Sequence, residues 1–574
     1  MKISNITIRK FRSIKEASFN MDDITAIVGE NNAGKTGILR ALNSVYNFDD
    51  EKRFFLDKTH QYAPRNNSYI VLRIEDVPSK SEFLKKYVFN NDLTIEWMYT
   101  YSENKRKLRI VKGAQKENIQ NIESFIEELN KYLTYVYIPA ERTNHDIMWG
   151  ENTIFAKLIK SYLNQYTKNR DTVSSNIKRS SKKIHDSILI KLEKHLSTLY
   201  MQNRDIDFKI DFPNNIDYTS ILNYLELSIN DSFSNHLLKE WGSGTKSLAI
   251  IAMYRAYALI EDKDIILGIE EPEINLHPQA QKKFIQSLSQ NMLESEVQTI
   301  FTTHSTVLID ELKHENILLV KRKSDSNRGF ISSIKQVPID FWDKYNIQES
   351  AHYNFFNLKN SEFFFAKHVV ICESPIDAYA METLIRPYIK NEIADISFIA
   401  LDGVTNLAYP YYLLKELSIP FSVIVDYDFF FDYKKDTNED SRNKNGLPEY
   451  KSTITSNTTK RKIIEDAFKK EIDKLEQVKG YRNFFNIIKP AKFYSMRYCL
   501  EIDLVRSSKA RDEYYKILGV PNCKQEQKTL LIENKRAIKK RENILKVLSK
   551  LKPIHYPESY TKIINAVIKD ITDY

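Results

Sequence analysis

Cysteine is scarce: three occur in 574 residues, Cys372, Cys499 and Cys523, far apart and outside any CxxC or His-rich spacing. That argues against a disulfide framework and a zinc-ligand cluster, and it leaves reduced cytoplasmic thiols as the expectation. Long hydrophobic runs are missing as well. No stretch of about 18 apolar residues occurs, and the N-terminus MKISNITIRKFRSIK alternates like a strand instead of presenting the apolar core of a secretion signal. A cytoplasmic, unanchored chain with no membrane partner is expected. Long heptad arms and internal repeats are absent too, which disfavours a coiled-coil-armed machine. Neither sign of charge dominates: 85 Lys and Arg stand against 76 Asp and Glu, a net charge of +9. Such a surface is ordinarily solvated and only mildly favours a polyanionic partner.

The length exceeds what one hydrophobic core covers, so several domains are expected. Short strands run from Ile3 to Gly29, and strand signals at residues 69–74, 94–101 and 133–139 predict a mixed sheet. Residues 150–205 change character, becoming helical and holding ten Lys or Arg between Lys157 and Lys194. Ile184, Ile188, Leu192 and Leu196 recur at helical spacing, the mark of an amphipathic helix that packs against the body or a second copy. Strand and helix then alternate from Ser247 to Val320 as a parallel α/β core. A less regular stretch from about 321 to 366 leads to a second alternating unit that opens with VVIC at Val369. Within it residues 433–461 are polar and read as an exposed insertion, and 462–574 read as mainly helical. The boundaries that follow are 1–149 and 206–345 for one α/β domain, 150–205 for a helical insertion suited to dimerisation, and 346–366 for a linker. A second α/β domain spans 367–504, with a helical C-terminal region over 505–574.

Gly29 to Thr36, GENNAGKT, fits G-x-x-x-x-G-K-T after an apolar strand and before a helix. Gly29 and Gly34 let the loop, with Asn31 and Asn32, wrap phosphate with backbone N–H groups. Lys35 reaches the β and γ phosphates, and Thr36 can ligate Mg²⁺. ATP is the expected cofactor. An apolar strand ends in Glu270 and Glu271 within IILGIEEPE (265–273), where the first carboxylate can hold Mg²⁺ and the second can orient or deprotonate water. A further strand ends in TTHS and delivers His304 as a γ-phosphate sensor.

A second acidic centre follows. Glu373 ends one apolar strand, and Asp426 and Asp428 end another. In a parallel α/β sheet such carboxylates converge on one crevice. Three clustered carboxylates call for a divalent cation, Mg²⁺ or Mn²⁺, and that suits phosphoryl transfer on a polynucleotide.

The long separation between the lysine loop and the acidic strand resembles ABC ATPases of the SMC and Rad50 type. WGSGTKS, carrying Ser243 and Gly244, resembles their signature loop, which serves the nucleotide of a partner head. ESPID (373–377) with DYD (426–428) resembles a TOPRIM domain. The whole order resembles the overcoming-lysogenisation-defect (OLD) family of ATP-dependent endonucleases, which includes the nuclease subunit of Gabija-type defence. That resemblance implies an ABC-type head with a helical insertion, then a TOPRIM α/β domain and a helical C-terminal region. It implies cleavage of double-stranded DNA, homodimer or higher assembly through the heads, and a helicase or other defence subunit as a further partner. It makes Glu373 a metal ligand or general base, Asp426 and Asp428 metal ligands, and Asp377 their support. Glu501 and Asp503 in CLEIDL become candidates for a second metal, and Lys535, Lys539 or Lys540 for a transition-state lysine. The alternative is an ATP-dependent DNA clamp or sensor that does not cleave. Ser374 replaces the glycine that usually follows the TOPRIM Glu, and a turn needing positive φ would be strained by it.

Overall fold

A computed structural model describes residues 1–78, 81–142, 148, 150, 153–199, 210, 222, 224–230, 235–261, 263–290, 297–326, 328–357, 360–389, 396–401, 403–438 and 440–572. The chain falls into two compact units. The first is Met1–Ile27, Asn31–Glu311 and Val320–Ser333; the second is Val28–Glu30, Leu312–Leu319 and Ile334–Tyr574.

The head is built on a twelve-stranded sheet. Its antiparallel part runs in the order Gln115–Ile119, Lys105–Lys112, Leu93–Thr100, Ser68–Glu75, Lys2–Phe11 and Ile14–Asn20. The order continues through Gly329–Gln336, Ile317–Asp325, Ile24–Val28, Val297–Thr303, Asp264–Glu270 and Leu133–Ile138. Ile24–Val28 is buried at every position, as is Asp264–Ile269, so these strands read as unbroken apolar runs. Asp264–Glu270 lies parallel to both neighbours, with Gly268 opposite Ile300 and Tyr137. The strand Gly329–Gln336 sits where the sequence suggested irregular chain. Its GFISSIKQ pattern mixes apolar and polar residues on both faces, and tertiary pairing of Ser332 with Ile14 decides the matter.

The insertion is helical over Ile154–Asn164, Thr167–Ile184 and Ile190–Leu199, with a π-helical turn between the last two. Ile184, Ile188 and Leu192 are 44%, 60% and 48% exposed, so this face is not packed against the described residues of its own chain. The Leu196 side chain and residues 200–205 lie outside the described residues.

The second unit centres on four parallel strands in the order Ile396–Ala400, His368–Cys372, Phe421–Val425 and Phe493–Ser495. The last is too short to announce itself among the surrounding helices. The polar stretch read as an exposed insertion is partly packed: Phe431–Tyr433 pairs with Tyr450–Ile454, Ser441 and Thr455 are buried, and an Arg442 N–H donates to the Leu531 carbonyl at 2.5 Å. Among the described residues no helix is long and apolar enough to cross a membrane.

Candidate active sites

The phosphate loop follows the strand Ile24–Val28 and opens the helix Lys35–Tyr46. Gly34 adopts φ +104°, and a Cβ there would stand 2.3 Å from Ser332 Oγ and 2.7 Å from Ser13 Oγ. No other residue fits. A pocket of about 470 Å³ gathers Asn31, Asn32, Gly34, Lys35, Thr36, Glu271 and His304, all singled out in the sequence. Arg12 and Arg328 line it as well, and nothing local in the sequence marked them. Ser243 and Gly244 open the helix Ser243–Glu261 outside this pocket, as a signature loop serving another head would. Gly244 is also forced, since a Cβ would meet the Asn275 carbonyl at 2.5 Å.

Glu270 accepts the Ala140 N–H at 3.3 Å through Oε2, while its Oε1 is buried with no hydrogen-bond partner among the described residues. A buried, unsatisfied carboxylate oxygen at this position fits a metal-bound nucleotide. Arg142 donates to the Glu270 carbonyl at 2.6 Å and to Ser247 Oγ at 2.9 Å, so one guanidinium ties the acidic strand to the signature helix. Glu273 accepts Thr303 Oγ at 2.8 Å and the His304 N–H at 2.7 Å. Sequence reasoning missed both residues; the only trace of Glu273 was a third acid in EEPE. Burial and then Lys35 push His304 down to about 4, so at neutral pH its ring acts as a neutral hydrogen-bonding group.

In the second unit, Glu373 and Asp426 end the adjacent parallel strands His368–Cys372 and Phe421–Val425, and Asp428 lies one turn on. One carboxylate oxygen from each of Glu373, Asp426 and Asp428 falls within 4.8 Å of the other two. Glu373 also accepts the Asp426 N–H at 3.4 Å. Burial and then the charge of Asp428 push Glu373 up to about 7, and burial with Glu373 raises Asp426 well above the usual carboxylate range. Hard oxygen donors this close and this poorly solvated fit a divalent cation.

Asp377 stands outside that trio. Burial outweighs its hydrogen bond from Ser374 Oγ at 2.6 Å and lifts it to about 6. Ser374 itself is extended, at φ −135° and ψ 163°, and caps the helix Pro375–Ile385 by accepting the Asp377 N–H. The expected strain is absent because the turn needs no positive φ; Pro375 takes the first helical position, where its missing N–H is harmless.

Glu501 and Asp503 part company. They lie two apart on the helix Leu500–Arg506 and so face different ways. Glu501 pairs with Lys539 at 3.3 Å and adds to the field at Asp377 and Asp426. Asp503 instead accepts the N–H groups of Arg497 and Tyr498 at 2.7 and 3.1 Å, bracing a loop. Among the three late lysines, geometry brings Lys539 to this acidic group. A lysine that the sequence did not mark is closer: Lys460 Nζ donates to the Asp428 carbonyl at 2.8 Å and lies 3.7 Å from its Oδ2.

Comparison with known proteins agrees with this geometry. Residues 1–146 and 79–309 match the family model of an AAA ATPase domain, and residues 364–428 match an overcoming lysogenization defect protein-like TOPRIM domain. The OLD nuclease of Thermus scotoductus is 24% identical to this chain, over 74% of the chain and 82% of its own length. Endonuclease GajA of Bacillus cereus strain VD045 is also 24% identical, over 67% of this chain and 68% of its own. An Smc head bound to the C-winged helix domain of ScpA, a solved structure, is 12% identical with a TM-score of 0.39, covering 59% of this chain and 99% of that one. Over residues 1–309, more than half of its length, the chain belongs to the AAA ATPase domain family, and an OLD-like TOPRIM domain follows at residues 364–428.

Proposed function

We propose that this protein is an ATP-regulated, divalent-metal-dependent DNA endonuclease that acts against phage or other foreign DNA in the cytoplasm. The observation that carries the reading is the trio of Glu373, Asp426 and Asp428, whose oxygens lie within 4.8 Å of one another at the ends of adjacent parallel strands. The names of the OLD and GajA nucleases support it. A bound Mg²⁺ or Mn²⁺ supplies electrophilic charge to the phosphodiester oxygens and lowers the pKa of water. Asp426 and Asp428 hold the cation, and Glu373 either joins them or takes the proton of the attacking water. Asp377 supports the same site from beside the trio, its carboxylate held by the Ser374 hydroxyl. Lys460 fixes Asp428, and Lys539, paired with Glu501, offers positive charge to the strand under attack. Asp503 keeps the loop of Arg497 in place and is left out of the metal set.

In the head, Lys35 and the N–H groups of the loop hold the phosphates of ATP. Thr36 and Glu270 hold its Mg²⁺, Glu271 orients water, and His304 reads the γ-phosphate as a neutral donor or acceptor. Ser243 and Gly244 complete the site of a second copy, so two heads close around two nucleotides, and closure governs access of DNA to the acidic trio. The exposed face of Ile184, Ile188 and Leu192 offers the same copy a second contact.

The test incubates supercoiled plasmid with Mg²⁺ or Mn²⁺, with and without ATP, using wild type, Lys35→Ala, Glu271→Gln and Glu373→Ala. Wild type is expected to nick in a metal-dependent way, with ATP and the two head variants changing the rate and Glu373→Ala inactive. A wild type that never nicks, or a Glu373→Ala variant that cuts as well as wild type, overturns the reading.

A further inference from the structure

The second unit carries a row of aromatic and cationic side chains that the acidic trio does not use. It begins at the trio itself: Tyr427, between Asp426 and Asp428, meets Tyr450 edge-on with ring centroids 4.8 Å apart. Tyr450 stacks on Tyr433 at 5.1 Å and 27°, and faces Tyr498 at 6.4 Å and 30°. The Arg506 guanidinium then lies 5.6 Å from the centre of the Tyr498 ring. All of these rings are half-buried. The backbone joins the two ends, since the Tyr427 N–H donates to the Tyr498 carbonyl at 2.9 Å.

Beyond Tyr498 the row opens into a pocket of about 310 Å³ that Arg497 and Arg506 both line. Neither guanidinium forms an ion pair or hydrogen bond with any described residue. The acids around them are already engaged. Asp503 accepts two backbone N–H groups and the Ser559 hydroxyl, and Glu558 pairs with Arg482 and Lys562. Two helices, Ser508–Leu518 and Glu558–Thr572, begin at the pocket wall, where Ser508, Glu558 and Ser559 line it. Two planar fork donors that make no direct ion pair with the described residues, Arg506 lying in the field of Asp503, suit a phosphate group beside two helix starts. A row of tyrosines leading from that phosphate to a metal-binding trio suits bases of a single strand.

We propose that this row is a single-strand nucleic-acid track: the Arg497 and Arg506 pocket seats an internal backbone phosphate, and bases of that strand lie against Tyr498, Tyr450 and Tyr433 on the way to Glu373, Asp426 and Asp428. The proposal rests on the nuclease reading above and extends it, because a duplex must open locally for one strand to run this way.

The test uses the full chain in EDTA, so that binding is read without cleavage. Anisotropy of a fluorescein-labelled 20-nucleotide oligothymidine, with and without a 5′-phosphate, and of a duplex of equal length, is followed against salt. Arg497→Ala with Arg506→Ala is expected to weaken single-strand binding about tenfold or more and to reduce the slope of log affinity against log salt by about 1. Tyr450→Leu is expected to weaken the single strand more than the duplex. ATPase rate and melting temperature stay at wild-type values, and Arg506→Gln repeats the measurement should the double variant fold poorly. Binding within twofold of wild type, with an unchanged slope, overturns the track whatever the plasmid shows. So does a loss confined to the 5′-phosphorylated strand, which assigns the pocket to a strand end, and so does an equal loss for single strand and duplex. Should wild type never nick while the arginine and tyrosine variants behave as expected, the track stands and the nuclease reading falls.

Discussion

The two acidic centres both place carboxylates at the C-terminal ends of buried parallel strands, from one strand in the head and from two adjacent strands in the second unit, and are held by opposite means. In the head the acids are interleaved with donors. Arg142 spans the Glu270 carbonyl and Ser247, Glu273 is filled by Thr303 and His304, and the phosphate face is backbone shaped by Gly34. In the second unit Glu373, Asp426 and Asp428 face one another, with Lys460 3.7 Å from Asp428. Their burial, and after it the repulsion of Asp428, appears as a Glu373 pushed up to about 7. The first is a cradle for an anion, with its fit set by the main chain. On the reading proposed above the second is a seat for a cation, its carboxylates poorly solvated and close together. Removing charge should therefore act in opposite directions on the two.

The largest expected effect breaks or upholds that contrast directly. Asp426→Asn should lower metal-dependent nicking by ~100-fold or more. In EDTA the same variant should melt higher than wild type, by on the order of 2–4 °C, because a buried carboxyl that folding must hold un-ionised is replaced by a neutral amide. Glu270→Gln, the corresponding change in the head, should bring no such gain. Nicking assays and melting curves in EDTA decide it, and an Asp426→Asn variant less stable than wild type would contradict that cost of burial.

The backbone half of the contrast is probed by glycine. Gly34→Ala forces a side chain into φ +104° and a Cβ within 2.3 Å of Ser332 Oγ, whereas a Cβ at Gly37 finds its nearest neighbour at 3.8 Å. Gly34→Ala should weaken binding of a fluorescent ATP analogue by ~100-fold, and Gly37→Ala by little. Equal losses would mean that the cradle is not set by the loop's main chain.

A smaller effect sharpens the role of interleaved donors. Glu273 does not itself line the nucleotide pocket, but Glu273→Ala frees Thr303 and the N–H of His304, which does. ATPase kcat should fall about tenfold with KM nearly unchanged. A rise in KM at constant kcat would place Glu273 in nucleotide binding instead.

How much of this was legible follows the same divide. The cradle could be read because it is local: an apolar strand, GENNAGKT and a helix are contiguous, and each glycine answers to a backbone need. The acidic trio could be read because strands that are buried throughout announce themselves and their final carboxylates stand out. What failed to show was contact between distant segments. Lys460 reaches Asp428 only because the stretch 431–454 folds back as a hairpin, and Phe493–Ser495 becomes a strand only because Phe421–Val425 offers it an edge. The split between Glu501 and Asp503 was available in principle, since residues two apart on a helix cannot share a face.

Ser374 tests the finest point, whether the turn after Glu373 wants glycine at all. Its extended φ of −135° gives a Cβ no strain, and its hydroxyl both caps the helix and holds Asp377 at 2.6 Å. Ser374→Ala should cost about 1 kcal/mol of stability, and Ser374→Gly about a few tenths, because a bare N-cap glycine leaves the first turn solvated. Nicking by both variants should stay within about threefold of wild type, since the hydroxyl touches Asp377 and not the trio. If Ser374→Gly nicked tenfold faster, the serine would be restraining the seat; an unchanged rate with the expected loss of stability leaves it as a helix cap, and charge alone sets the second centre apart from the first.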